Sequence, residues 1–185
     1  MKSIYIVLTK SETILSKIIY MIDKDLYMHA SISFESDLSI LYSSSRKNGK
    51  TILPAGPCRE YLDKGYLGNH PSIRCAVYRL YVPDEVYEKT LYEVLRIINN
   101  NEQYHFNIIG LIACKLHIPL SRQHHFFCSQ FVSEVLGRSG ALEIPKETSL
   151  MKPIDYTYIT ELTCCYQGNI GELAVIHEQI TGEAI

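Results

Sequence analysis

The sequence is marked first by what it has little or none of. Its 185 residues include no tryptophan, and its 18 basic and 20 acidic side chains leave a formal net charge of -2. Because there is no basic surplus, nucleic acid is not an expected partner. No apolar run approaches the roughly 18 residues of a membrane-spanning helix, so no integral membrane segment is predicted. The apolar content of 46% is that of an ordinary globular protein and favours a single domain over residues 1–185.

Residues 1–25 do not have the layout of a signal peptide. Their apolar residues are interrupted by Lys10, Ser11, Glu12 and Lys17. No small-residue cleavage site follows. We therefore expect an intracellular, cytoplasmic protein.

The cysteines have no regular spacing. They are Cys58, Cys75, Cys114, Cys128, Cys164 and Cys165. An adjacent pair suits neither a disulfide framework nor a zinc site, so reduced thiols are expected. A metal site formed by His124, His125 and Cys128 is an alternative, although no second ligand pair has the usual spacing. No metal or organic cofactor is predicted.

Alternating apolar residues predict the β structure. Residues 3–9 (SIYIVLT) and 73–82 (IRCAVYRLYV) are rich in β-branched and aromatic side chains, as strands are. Residues 29–45 (HASISFESDLSILYSSS) predict a β-hairpin whose turn falls at residues 35–38. Residues 46–72 are rich in glycine, proline and charge. They indicate a long ordered loop, of a kind that is usually functional.

Apolar residues at helical spacing predict the helices. The pattern marks residues 14–22, 84–99, 107–116 (short and buried) and 128–139, with a last helix that starts at Pro153. Asp84 is the expected cap of the second helix, and the fourth is expected to stop near Gly140. The predicted architecture is α+β, a small and mainly antiparallel sheet packed against several helices.

The strongest candidate for chemistry is Cys128, in the stretch FFCSQFVSEVL. The apolar residues that recur at the spacing of one helix face are Phe131, Val132, Val135 and Leu136. The cysteine therefore stands where this helix starts. Free N–H groups and the macrodipole at a helix start favour a thiolate, which is a nucleophile. A small apolar filler is the alternative reading.

A nucleophilic thiol needs a neighbouring base, and His29 is the candidate among the seven histidines. It opens the stretch HASISF, in which Ala30, Ile32 and Phe34 form one face of a strand. The other face then presents the imidazole beside small serines, as a cleft requires. A half-exposed strand with a surface histidine is the alternative.

A third group usually orients such an imidazole by accepting its other N–H. Across the predicted hairpin, His29 faces the region of Tyr42, Ser43 and Ser44, none of which is a carboxylate or an amide. Glu35 lies too close to the turn to reach back. The residues themselves leave the third position open.

A strand that opens with histidine, the adjacent strand ILYSSSRKNG and the later helix start FFCSQFVSEVL together resemble a known family. They are similar to the circularly permuted branch of the NlpC/P60 papain-like superfamily, in particular its bacterial YiiX/YebB-like cysteine hydrolases. In that branch the histidine precedes the cysteine, as His29 precedes Cys128 here. The likeness covers most of the chain, and FCSQFV is its strongest single piece.

The resemblance implies a permuted NlpC/P60 fold, Cys128 as the nucleophile, His29 as the general base and acyl transfer at an amide or ester. Relatives place a polar residue at the third position. The best match here is Ser43, which supports an imidazole less well than a carboxylate would. A small peptide, amide or acyl group is the implied substrate. Two other classes stay open: a lipid-directed thiol acyltransferase or esterase, and a non-catalytic binding module that keeps the fold.

The charged loop of residues 46–71 is expected to form one wall of the cleft. Its basic side chains include Arg46, Lys47 and Arg59. They are either receptors for a substrate carboxylate or solvated surface charges.

Overall fold

A six-stranded antiparallel sheet organises the chain in the computed structural model, which describes residues 1–10, 25–46 and 54–173. The strands are β1 (Lys2–Thr9), β2 (His29–Ser33), β3 (Leu41–Arg46), β4 (Ala55–Glu60), β5 (Arg74–Val82), β6 (His105–Phe106), β7 (His125–Phe126) and β8 (Thr163–Asn169). The sheet has the order β4–β3–β2–β1–β5–β8, and β6 and β7 form a separate parallel pair. The α+β class with a mainly antiparallel sheet is confirmed.

Four α-helices and two 3-10 helices have both of their ends inside the described ranges. They are α1 (Gly65–Gly68), α2 (Asp84–Asn99), α3 (Ile108–Lys115) and α4 (Cys128–Ser139), with 3-10 turns at Thr148–Leu150 and Pro153–Tyr158. The predicted bounds of α2 and α4 are confirmed, and Gly140, whose φ of 76° suits glycine, is the C-cap of α4. The predicted cap of α2 was wrong, because Pro83 holds the N-cap position and Asp84 is the first residue of the helix. The helix predicted for residues 14–22 lies outside the described residues.

The helix α3 differs from its prediction as a buried helix. Its first turn is capped by Asn107, whose side chain accepts a hydrogen bond from the backbone N–H of Gly110. Ile109 and Ile112 are 58% and 52% exposed. One face of α3 is therefore apolar and open to solvent. The sequence could not predict this, because a largely apolar helix does not show which of its faces the rest of the chain covers.

Alternation along the strands sends apolar side chains to both faces of the sheet. The larger cluster includes Ile6 and Ile32 and packs against Phe131 and Val135 of α4. Val7 belongs to a second cluster, because successive residues of a strand point to opposite faces. Removing the fully buried ring of Phe131 would cost about 3–5 kcal/mol of stability. This packing fixes α4, and hence Cys128, against the sheet.

The long loop predicted for residues 46–72 is wrong in its middle, where β4 forms. Pro57 and Gly56 conceal this strand in the sequence, because both residues are rare inside sheets. β4 is an edge strand, paired through Ser44 and Pro57 with β3 alone, so the N–H that proline lacks is not required on its outer side. The strand ends at Glu60.

The helices within the described ranges are too short or too polar to cross a lipid bilayer.

Candidate active site

The site lies where strands β2 and β3 separate. Among the described residues, the two strands pair only at Ile32 and Tyr42. Beyond that pair, the start of α4 enters the gap between the strands. The hydroxyl of Ser44 on β3 donates to the carbonyl of Phe126 at 2.6 Å, and the backbone of Ala30 on β2 lies near the thiol of Cys128 and lowers its pKa. The separation of the strands thus makes room for the thiol.

Cys128 is the first residue of α4, and this position gives its sulfur a polar setting. Phe127 precedes the helix and provides no side-chain cap, so no capping side chain occupies the N–H groups of the first turn. The backbone N–H of Ser129 lowers the pKa of the Cys128 thiol. The side chain is nevertheless buried, with 7% of its surface exposed.

His29 lies between the thiol and a carboxylate. Its Nε2 atom donates to Oε2 of Glu60 at 2.9 Å, and the two side chains are only 13% and 18% exposed. The imidazole also interacts with the side chain of Cys128, which raises the pKa of His29. Because Nε2 is engaged by Glu60, Nδ1 is the ring nitrogen that remains for the sulfur. Cys128, His29 and Glu60 therefore form a connected series of the kind that activates a thiol.

Two serine hydroxyls hold the carboxylate of Glu60 in place. Ser31 donates to Oε2 at 2.8 Å and lies 3.2 Å from Nε2 of His29, while Ser45 donates to Oε1 at 2.6 Å. Both carboxylate oxygens are thus engaged, so the plane of the carboxylate is set. A fixed acceptor fixes the imidazole in turn.

The surroundings of Cys128 favour its charged form. Burial raises the pKa of the thiol, since an anion loses solvation there. The hydrogen bond and positive charge of His29, with the N–H groups of Ala30 and Ser129, outweigh this effect and hold the pKa below that of an ordinary thiol. A thiolate is therefore accessible near neutral pH.

The His29–Glu60 pair favours its ionised form in the same way. Burial lowers the pKa of His29, but the charge of Glu60 and the hydrogen bonds to Cys128 and Glu60 raise it well above its ordinary value of 6.5. Burial raises the pKa of Glu60, yet His29 and the two serines lower it to about 2. The imidazole is thus positively charged at neutral pH when it faces a thiolate.

The structure brings both predicted catalytic residues together and corrects the third position. Ser43 does not contact the imidazole, because its hydroxyl donates to the carbonyl of Ala30 at 2.8 Å. The acceptor on His29 is Glu60 instead. The matching of Ser43 to the third position was wrong, because the hairpin register aims this serine at the backbone across the strand gap.

The structure places the basic residues of the predicted cleft wall differently, and it describes only some of them. Arg59 donates to Oδ1 of Asn99 at 3.2 Å and lies over the ring of Tyr42, 5.9 Å from its centroid. It alternates with Glu60 along β4 and so faces the other side of the sheet. Lys47 lies outside the described residues, and Arg46 ends β3.

Glu60 was missed because the segment that carries it was taken for a loop. One signal was present in the sequence. A structureless stretch of residues 46–72 is longer than loops in compact domains usually are, and such a length argues for a hidden element. Within it, Cys58 and Glu60 alternate with Arg59, as strand residues do.

The residues of the alternative metal site make separate contacts in the structure. His125 on β7 lies against His105 on β6, with ring centroids 5.2 Å apart, and its Nδ1 bonds to the carbonyl of Gln123 at 2.7 Å. In the described part of the chain, no three metal-binding side chains gather into a site. All six cysteines fall within that part, and none of them forms a disulfide with another.

No protein-family model matches this sequence, and no curated protein matches it either. The likeness to the NlpC/P60 superfamily therefore rests on the sequence stretches quoted above. What the site can do follows from the chemistry of Cys128, His29 and Glu60.

Proposed function

We propose that this protein is a cysteine hydrolase that transfers acyl groups from a small peptide, amide or ester through Cys128. The observation that carries the proposal is the connected series of a thiol at a helix start, an imidazole and a buried carboxylate. The third residue, Glu60, supplies the support that the sequence left open. A thiol with a lowered pKa beside a charged imidazole is what nucleophilic catalysis requires.

The proposed reaction uses each member of the series once. The thiolate of Cys128 attacks the carbonyl carbon, and the backbone N–H of Cys128 donates to the oxyanion, a contact typically worth a few kcal/mol. The imidazolium of His29 then gives its proton to the leaving amine or alcohol as the carbon–heteroatom bond breaks. Water resolves the thioester. Glu60 keeps the imidazole oriented throughout and stabilises its charged form before attack and after release.

We also propose the permuted NlpC/P60 fold and a cytoplasmic place of action. The permuted fold is supported by the chain order, in which His29 precedes Cys128 and both residues belong to one site. Six cysteines that form no disulfide with one another, as in proteins of reducing compartments, support the cytoplasmic location. The chemistry proposed needs no metal or organic cofactor.

A lipid-directed thiol acyltransferase or esterase is the second candidate. The observation in its favour is the exposed apolar face of α3, where Ile109, Ile112 and Leu116 are each more than half exposed. This helix starts at Asn107, whose side chain donates to Gln130 of α4 at 3.3 Å. An apolar surface thus begins beside the helix that carries the thiol. A long acyl chain retained on Cys128 would distinguish this candidate from a peptide or amide hydrolase.

The non-catalytic alternative finds less support. A non-catalytic protein would fit a site in which His29 lacks a strong hydrogen-bond acceptor. In the structure the carboxylate of Glu60 is that acceptor. It also requires a thiol of ordinary pKa, whereas the surroundings of Cys128 lower the pKa.

The test is direct capture of the acyl-enzyme. The protein is mixed with p-nitrophenyl acetate and with a panel of peptide amides, quenched in acid and examined by mass spectrometry. We expect an acyl adduct on Cys128 and turnover that Cys128→Ala abolishes. Cys75→Ala is the matched control, since it removes another buried thiol and should leave turnover unchanged. Equal turnover by Cys128→Ala and the native chain would contradict the proposal.

A further inference from the structure

We propose that Thr9 positions the water molecule that releases the acyl group from Cys128. The inference rests on the proposed function and assigns a residue to its second half. Thr9 is the last residue of β1 and pairs with His29 of β2 in the antiparallel register. Residues that pair in this way place their side chains on the same face of the sheet, about 5 Å apart at Cβ. The side chain of Thr9 is therefore the lateral neighbour of His29 on the sheet.

The backbone of Thr9 is fixed on both sides. Its carbonyl accepts from the N–H of Met28 at 3.0 Å, and the N–H of Lys10 donates to the carbonyl of Arg74 at 2.9 Å. Thr9 also pairs with Cys75 of β5, so it stands in the middle of three strands. The side chain is thus held beside His29 by the sheet itself.

The hydroxyl of Thr9 has no hydrogen-bond partner among the residues that the structure describes, although the residue is only 1% exposed. A buried hydroxyl without a partner costs free energy, and a valine would fill the same shape without that cost. Such a group calls for an explanation, and a water or a reacting molecule is the usual one. Because Thr9 pairs with His29, we infer that this partner takes part in the reaction at Cys128.

Two other buried polar atoms lack partners in the described part of the chain. One is Nε2 of Gln130, whose amide is already held through its oxygen by Asn107. The other is Nε of Arg79, a side chain whose guanidinium lies over the ring of Tyr81. Thr9 is the one of the three that pairs with a member of the proposed catalytic series.

Release of the acyl group from Cys128 requires a positioned water, which the hydroxyl of Thr9 would hold. Once Cys128 carries an acyl group, its sulfur no longer needs a proton or charge from His29, so the neutral imidazole can act as a base. A bound water needs two or more polar partners, and Thr9 and His29 would supply two of them. The water oxygen bonds to the acyl carbon as its proton passes to His29. The carbon–sulfur bond then breaks, the carboxylic acid leaves, and the series regains its starting charges.

The test separates acylation from release with p-nitrophenyl acetate. The burst of p-nitrophenol reports acylation of Cys128, and the steady rate with the lifetime of the mass-detected adduct reports release. For Thr9→Val we expect an unchanged burst and a release rate about five- to tenfold slower, the worth of about one hydrogen bond. Thr9→Ser should keep the native release rate. Hydroxylamine, which attacks the thioester without that water, should restore turnover of Thr9→Val.

A matched control comes from another buried threonine. The hydroxyl of Thr90 lies within hydrogen-bond distance of the carbonyl of Val86, at 2.7 Å, and of the hydroxyl of Ser139, at 2.9 Å, far from the site in sequence. Thr90→Val should lower the unfolding temperature and leave the ratio of burst to steady rate unchanged. Thr9→Val should show the reverse pattern, because its hydroxyl has no partner to lose.

Native-like release by Thr9→Val would overturn this inference while the burst upheld the proposed function. Absence of any adduct on Cys128 in the native chain would overturn both. A Thr9→Val protein that slows burst and release alike would assign the threonine to general packing and also overturn the inference.

Discussion

Cys75 and Cys128 are both buried against the sheet, yet their surroundings move their pKa values in opposite directions. Cys75 on β5 is 1% exposed, and burial with the nearby carboxylate of Glu172 raises its pKa to about 12. Cys128 is 7% exposed, and its pKa lies below the ordinary value. Burial alone therefore makes a thiol inert.

The difference lies in what each sulfur touches. Cys128 receives two backbone N–H groups and the imidazole of His29, which Glu60 keeps charged. Cys75 has an acidic neighbour instead of a basic one. Burial opposes the thiolate at both sites, but at Cys128 it also strengthens the interactions with the polar partners, since water does not screen them.

The largest expected effect follows from making Cys128 resemble Cys75. His29→Ala removes the charge and the proton donor, so we expect hydrolysis of p-nitrophenyl acetate to fall about 10²- to 10⁴-fold. His125→Ala is the control, since that imidazole is engaged with His105 and Gln123. Equal losses in both variants would show that the assay does not report on this site.

A second comparison concerns acid stability. The pKa of Glu60 is lowered from 4.5 to about 2 in the folded chain, so its stabilising contribution is present above about pH 4.5 and is lost as the pH falls towards 2. His29 is protonated in both folded and unfolded chains over this range and adds no slope. The loss should reach up to about 3 kcal/mol of unfolding free energy. Urea unfolding of native and Glu60→Gln protein at several pH values measures it, and parallel curves would contradict the assignment.

Glu60→Gln should also lower turnover, by about tenfold, because the imidazole keeps a polar neighbour but loses its charge partner. Since the carboxylate raises the pKa of His29, the alkaline limb of the pH–rate profile should move to lower pH. Glu35→Gln is the control, because that carboxylate interacts with Ser33 instead. A limb that stays in place would remove Glu60 from the series.

The smallest effect is expected from Ser45→Ala. It deletes the hydrogen bond of 2.6 Å to Glu60, so the pKa of that carboxylate should rise and turnover should fall about two- to fivefold. Ser43→Ala removes a hydroxyl bonded to the carbonyl of Ala30 and should change stability more than the pH–rate profile. If the two variants behaved alike, the serines would serve only the hairpin.

The sequence alone could predict two of the three site residues. Cys128 and His29 belong to local patterns, a helix with one apolar face and a strand of alternating apolar and polar residues. Such patterns can be recognised from neighbouring residues of the sequence. Glu60 depends on β4, an edge strand whose glycine and proline imitate a loop. Its partnership with His29 also crosses β3, which no short-range pattern encodes.

The outer parts of the fold show the same limit. The strand β8, TCCYQGN, is largely exposed and lacks a clear apolar face, so only its pairing with β5 defines it. The separation of β2 and β3 that admits Cys128 depends on a hydroxyl of β3 bonding to Phe126, a contact between distant parts of the chain. Both are set by tertiary structure, which local propensity does not contain.

The most direct test of the account is the pH dependence of iodoacetamide alkylation at each cysteine, followed by mass spectrometry in native and His29→Ala protein. We expect Cys128 to react ahead of the others with an apparent pKa well under the usual value of about 8.5, and Cys75 to stay unreactive. In His29→Ala the apparent pKa of Cys128 should rise. A Cys128 that reacts like Cys75 and ignores the loss of His29 would contradict the account.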